Sequence, residues 1–281
     1  MTPRISIIIP CYNSAQWVAE TIQSVLSQTI EDWECIIVND GSTDNSLEII
    51  KSYAEKDNRI RYIDKKNEGV AIARNTAIAS AQGEYILPLD ADDLIAPTYV
   101  EKALKYFEEH PSTKLVYCEA DFFGTREEHW ELPEYNYQDF IYYNCIFCSA
   151  IYRREDFLKT KGYNSSNRNN LEDWDFLLNF LKEDDIVHRI PETLFFYRIH
   201  GDSRTKRDDD SLAKSRLFLI LNHAHIYSKD FNRTAMWIGN TEKVNRLLRK
   251  RKKYRKLFLS FMTLSIILIL LLIACVTILF S

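Results

Sequence analysis

The chain has 281 residues, 46% of them hydrophobic and 27% charged, with a formal net charge of −4. No internal repeat or low-complexity linker interrupts it, which excludes a repeat array, and residues 1–245 suffice for one sizeable core. The small net charge hides an asymmetry: eight Lys and Arg lie between Arg246 and Lys256, leaving residues 1–245 at a formal −12.

From the N-terminus, Ile5-Ser6-Ile7-Ile8-Ile9 reads as a short strand stopped by Pro10, an apolar run too short for a signal peptide. Cys11-Tyr12-Asn13-Ser14 is a turn, and Ala15 to Gln28 carries Val18, Ile22, Val25 and Leu26 at helical spacing. A second strand, Trp33–Val38, runs into Asn39-Asp40-Gly41-Ser42-Thr43-Asp44, and a helix pattern follows over Ser46–Glu55. Strand, turn and helix in this repeated order predict parallel βαβ units with right-handed crossovers. Ligands of such sheets bind outside the carboxyl ends of the strands. A dinucleotide fingerprint is excluded, because Pro10–Ser14 contains no glycine.

The helix pattern Glu68–Ala81 is largely apolar yet carries Arg74. A charge on such a helix at the ligand edge needs a partner, and phosphate is the natural candidate. Tyr85–Leu89 reads as a buried strand that ends in Asp90-Ala91-Asp92-Asp93. Three carboxylates at a strand exit repel one another. Mg²⁺ or Mn²⁺ would remove the conflict and bridge to substrate phosphates; the alternative is that Asp92 or Asp93 caps the helix predicted over Thr98–Glu109. Phe140–Tyr152 reads as a strand, with Cys145 and Cys148 on opposite faces. These two have the spacing of half a zinc or redox site, but no second pair follows, so core thiols in a reducing compartment are expected. Glu172, Asp173 and Asp175 form the acidic first turn of a helix over Trp174–Leu181.

Helical character is expected again over 206–245, as a connector. Arg246–Lys256 is a basic collar, and Leu257–Phe280 is 24 residues without a charge. As a helix this last stretch is about 36 Å long, enough to cross a bilayer. Flush against such a span, the collar fits anionic lipid headgroups better than nucleic acid. The positive-inside rule puts residues 1–245 on the cytoplasmic side.

The motifs together resemble the family 2 inverting glycosyltransferases, which have the GT-A fold. The resemblance rests on Ser6–Asn13, Ile36–Asp44, Asn67–Asn75 with Gly83-Glu84-Tyr85, Leu89–Asp93, Leu171–Asp175 and Tyr197–His200 with Ser203. It spans about 200 of the 281 residues, and the ordered set is far more specific than any one element. Asn39 departs from it, where the family more often has a second Asp. The resemblance implies a GT-A-type, Rossmann-like, mostly parallel α/β sheet flanked by helices, over residues 1–205. Residues 1–118 would bind donor and residues 119–205 would face the acceptor.

The expected chemistry is sugar transfer from a nucleotide-diphosphate sugar, a UDP-sugar, to a hydroxyl of a glycan or lipid-linked acceptor. Transfer to a polyprenyl phosphate is the alternative. Pro10, Tyr12, Asn13, Asp40, Arg74, Asp90 and His200 are expected at the donor: Tyr12 can stack on a base and Asp40 can accept from an imide N–H. Asp92, with Asp90, is the expected metal ligand. Asp173, with Glu172 beside it, is the expected general base. A non-catalytic, membrane-anchored nucleotide-sugar-binding protein would be expected to lack Asp92 or Asp173, and both are present.

Overall fold

The computed structural model of the protein describes residues 2–166, 171–201 and 209–239. Two compact units divide it, residues 1–206 and residues 207–281.

The first unit begins as the alternation predicts: β1 (Ile5–Cys11), α1 (Val18–Leu26), β2 (Trp33–Asp40), α2 (Ser46–Ala54), β3 (Ile60–Lys65), α3 (Val70–Ala79) and β4 (Tyr85–Pro88). β1 and β2 are buried along their whole length, as central strands of a covered sheet must be. The chain continues with β5 (Leu94–Ile95), α4 (Tyr99–Glu109), β6 (Thr113–Gly124), β7 (Glu128–His129), α5 (Tyr137–Phe140), β8 (Ile151–Arg153), α6 (Arg154–Leu158), α7 (Glu172–Phe180) and β9 (Ile186–Ile199).

One sheet takes the strands in the order β3-β2-β1-β4-β8-β6-β9-β5, with β7 against β6. It is mixed rather than mostly parallel, which corrects the expectation from the sequence. β3, β2, β1 and β4 pair in parallel, whereas β8 runs antiparallel to both β4 and β6, and β5 antiparallel to β9. The regular βαβ alternation stops at β4, after which antiparallel pairings enter the sheet. Two reversals restore direction, so β6 and its parallel partner β9 point the same way as β1 and β4. The carboxyl ends of β1, β2, β4 and β9 therefore meet at one edge.

Phe140–Tyr152 is not a strand. Asn136 accepts from the backbone N–H groups of Gln138 and Asp139 and caps α5, and the ladder resumes only at Ile151. Cys145 and Cys148 sit on the intervening turns as free thiols.

The described part of the second unit is helical: α8 (Asp209–Asn222), α9 (Ala224–Tyr227) and α10 (Phe231–Gly239). Its interior holds Leu219 and a stacked Tyr227–Trp237 pair with ring centroids 5.7 Å apart. No described helix is long and apolar enough to cross a membrane. The basic collar and Leu257–Phe280 lie outside the described residues.

Candidate active site

The ends of β1 and β2 form the first wall. Pro10 lies in β1 opposite Val38, and the chain leaves the strand at Tyr12, whose ring is 46% exposed at the edge. Asn13 takes a left-handed φ of 51°. Its Oδ1 accepts from the Thr43 N–H at 2.7 Å, and its own N–H donates to Ser42 Oγ at 3.0 Å. Asn13 thus ties the two strand-end loops together, beneath the exposed ring. Gly41 has φ +72°, and a Cβ there would lie 2.7 Å from the Asn67 nitrogen, so only glycine lets the loop after β2 approach the loop before α3.

Asp40 is buried at the same edge. Oδ1 accepts from Lys65 Nζ at 2.9 Å and from the Glu68 N–H at 3.0 Å, while Oδ2 accepts from the Gly69 N–H at 2.8 Å. Three of about four acceptor positions on the carboxylate are thus occupied. Asp40 shapes the loop before α3, with one acceptor position not taken by a hydrogen bond among the described residues. Asn39, the departure from the family pattern, donates to Asp64 Oδ1 at 2.7 Å and accepts from the Ser42 N–H, which gives it a structural role in the same loop.

Arg74 does have the partner that its position demands: within the protein it is a pair of carboxylates. The side chain is fully buried on α3; Nη2 meets Asp90 Oδ1 at 2.6 Å and Nη1 meets Glu172 Oε1 at 3.1 Å. Burial opposes the charge, but Asp90 and the other acidic groups around it outweigh that and push its pKa well above the usual value. Together these contacts make a carboxylate–guanidinium–carboxylate bridge. Asp90 Oδ2 also accepts a weak hydrogen bond from Cys148 Sγ at 3.4 Å. Burial, followed by the charge of Asp90, raises the pKa of that thiol and keeps it protonated as the donor.

Asp92 and His200 meet from opposite sides of the crevice. His200 Nε2 lies 3.0 Å from Asp92 Oδ2, with the ring against Trp17. Helix capping is not the task of these carboxylates, since α4 starts at Tyr99. Asp93 instead turns inward and accepts from the Arg198 N–H at 2.9 Å, which fastens β9 to the acidic turn. The guanidinium of Arg198 donates from Nε to the Asp92 carbonyl at 2.7 Å, pairs with Glu20, and lies between the rings of Trp17 and Phe123. Among the described residues no group of three or more His, Cys, Asp or Glu is placed to hold a metal ion. The donor set still suits Mg²⁺ or Mn²⁺ in the manner of phosphate-bridged ions, which take one or two protein ligands and draw the rest from substrate oxygens and water. Asp92 and His200 would supply those ligands. Asp90, committed to Arg74, would not.

Asp173 completes the crevice. Its Oδ1 accepts from the Trp174 N–H at 2.8 Å, while Oδ2 has no hydrogen bond among the described residues. Burial, then the neighbouring Glu172 charge, pushes its pKa up to about 6, and Arg74 only partly offsets them. The two adjacent carboxylates are thus distinguished: Glu172 is held in the buried ion bridge, and Asp173 keeps Oδ2 without a hydrogen bond among the described residues. Reading the sequence gave Arg198 and Cys148 no role in this site, although Arg198 lies within the Tyr197–His200 motif, two residues before His200.

Residues 6–161 match Glycosyl transferase family 2. The putative glycosyltransferase EpsE of Bacillus subtilis is 33% identical over 213 residues, 73% of this chain and 76% of that protein. Of the Rickettsia glycosyltransferases matched over 107 residues, the chain spans only 15% and 18% of the length. Among solved structures, S. aureus TarS in complex with UDP-GlcNAc superposes with a TM-score of 0.65 at 19% identity, covering 78% of this chain and 66% of that one. The mannosyltransferase PcManGT of Pyrobaculum calidifontis, in complex with GDP-Man and Mn²⁺, gives 0.61 at 17% identity, covering 95% and 81%. With its motifs gathered at one sheet edge and the family match covering more than half its length, the chain belongs to the family 2 glycosyltransferases and has a GT-A-like fold.

Proposed function

We propose that the protein is a metal-dependent inverting transferase that moves a sugar from a UDP-sugar to a hydroxyl of a lipid-linked or cell-surface glycan precursor. The observation that carries this reading is Asp173, a carboxylate with one open oxygen and a pKa pushed up to about 6, at the edge shared by Tyr12, Asp90 and Asp92. A base of that strength is deprotonated at neutral pH and still able to accept a proton. Tyr12 would stack on the base of the nucleotide, and the last acceptor position of Asp40 would take an imide N–H. Asp92 and His200 would hold Mn²⁺ or Mg²⁺, whose chemistry is Lewis-acid neutralisation of charge on the departing diphosphate. Asp173 Oδ2 takes the acceptor's proton while the acceptor oxygen attacks the anomeric carbon from the face opposite the diphosphate. One C–O bond forms as the other breaks, and the configuration inverts. The UDP-GlcNAc bound by TarS and the Mn²⁺ of PcManGT support donor class and metal as properties of those neighbours.

Leu257–Phe280 would anchor the enzyme as a single-pass helix in a bacterial inner membrane, with Arg246–Lys256 on anionic headgroups and the catalytic unit in the cytoplasm, where nucleotide sugars are made. The test is release of UDP, with and without EDTA, across a panel of nucleotide sugars. Metal-dependent release from a UDP-sugar is expected. Release from GDP-sugars alone, or undiminished release in EDTA, would contradict the donor or the metal assignment.

A further inference from the structure

On α3, among Ala71, Ala73 and Ala77, Arg74 and Asn75 are adjacent polar side chains that both reach far along the chain. Asn75 holds one residue by both of its backbone groups. Its Nδ2 donates to the Tyr163 carbonyl at 2.8 Å, and its Oδ1 accepts from the Tyr163 N–H at 2.9 Å. The preceding Gly162 has φ +68°, and a Cβ there would stand 2.7 Å from Asn75 Oδ1, so the turn comes this close only as glycine. Arg74 lies over the Tyr163 ring, 5.4 Å from its centroid, and the Tyr163 hydroxyl meets that of Tyr152 at 3.3 Å. The other arm of Arg74 reaches Glu172, the residue before Asp173.

We propose that Arg74 and Asn75 are positioning residues for Asp173, not contacts for the donor diphosphate. Tyr163 and Glu172 are both fastened to α3, and through Arg74 to Asp90 on the donor side. The inference rests on Asp173 being the base. Consecutive helix residues point about 100° apart, so fixing Glu172 on one side of the first turn of α7 fixes the direction of Asp173. A guanidinium can serve two carboxylates in two directions at once, which a single ammonium point charge does poorly. The buried bridge gives little net stability, because desolvation opposes it, and its consequence is orientation.

The experiment compares Arg74→Lys, Asn75→Asp, Glu172→Gln, Arg74→Lys/Glu172→Gln and Asp173→Asn in the full-length protein. It reads kcat and donor KM in a sugar-transfer assay, UDP affinity by calorimetry, and folding by circular dichroism. Arg74→Lys is expected to lower kcat about 10- to 100-fold, the effect of a misplacement on the order of 1 Å, with UDP affinity changed less than about threefold. The double variant should lose no more than Glu172→Gln alone, since Arg74 acts through Glu172. Asn75→Asp keeps the acceptor for the Tyr163 N–H but sets a second oxygen against the Tyr163 carbonyl, and should lower kcat in the same pattern. Full kcat at saturation with a donor KM raised more than about tenfold, or additive losses in the double variant, would make Arg74 a diphosphate contact and overturn the proposal. Should Arg74→Lys fail to fold, Asn75→Asp decides, and an unchanged kcat there overturns it. An inactive Asp173→Asn beside normal Arg74→Lys and Asn75→Asp removes the positioning role and leaves the base in place. A normally active Asp173→Asn removes both.

Discussion

Glu172 and Asp173 are neighbours on the first turn of α7, yet one is held by a buried guanidinium and the other keeps an oxygen open. Sequence alone shows that only one of two adjacent side chains can face a ligand. It does not show which, because the deciding contact comes from Arg74, 98 residues away. The same distance explains why the carboxylate partners of Arg74 were not legible: an apolar helix with one charge announces a partner, and which side chain supplies it within the protein is set by tertiary packing. Tyr12 was more legible, since a strand that ends before a turn at the carboxyl edge leaves its next side chain exposed. With its pKa pushed up to about 6, Asp173 is protonated below that pH and could not then serve as the proposed base. We therefore expect kcat to rise about tenfold per pH unit up to about 6 and to level off above it. Asp173→Asn should abolish that limb; a wild-type rate that is flat down to pH ~4 would contradict the assignment. Asp92→Ala should weaken Mn²⁺-dependent UDP binding at least about tenfold in calorimetry, as expected when phosphate affinity runs through an ion. Equal affinities for the variant and the wild type, with and without EDTA, would sink the metal role.

At the scale of elements, β1 and β2 were legible as apolar, β-branched runs with a helical period behind each, and β4 as a buried run; β3, which mixes charged with apolar residues and is largely not buried, was not read from the sequence. The half after β4 was less legible. Phe140–Tyr152 is rich in aromatic and β-branched residues, which read as strand, but the Asn136 cap and the turns behind it override that composition. The sheet's opposite end depends on a close approach that no periodicity reports. Gly83 N–H donates to Ser6 Oγ at 2.9 Å, and Ser6 in turn donates to Glu34, which also receives the Gln82 N–H and Arg61. A Cβ on Gly83 would lie 2.6 Å from the Ile5 carbonyl carbon and the Ser6 nitrogen, both backbone atoms with little room to move. Gly83→Ala should therefore destabilise the protein by about 1–3 kcal/mol, as overpacking does. Thermal melts should show a midpoint lower by several degrees; an unchanged midpoint would mean that the strand ends tolerate the methyl.

For the whole molecule, residues 1–206 form one unit whose four strand ends make one crevice. The C-terminal sequence pairs a basic collar with a long uncharged stretch. A stretch long enough to cross a bilayer should hold the protein there by itself, with the collar adding attraction to anionic headgroups and setting the orientation. Full-length protein is expected to sediment with membranes in high salt, and a 1–245 truncation to remain in solution with unaltered UDP affinity but slower transfer to membrane-embedded acceptor. Equal rates for the two forms in vesicles would remove substrate access as the purpose of the segment. The central claim is that this edge transfers sugar with Asp173 as the base, and the most direct measurement is transfer by Asp173→Asn against Glu172→Gln and wild type. Asp173→Asn should keep its fold and its affinity for UDP-sugar while transfer falls about 10²–10⁴-fold. Near-normal turnover by Asp173→Asn would contradict the account, and an inactive Glu172→Gln beside it would move the base to Glu172.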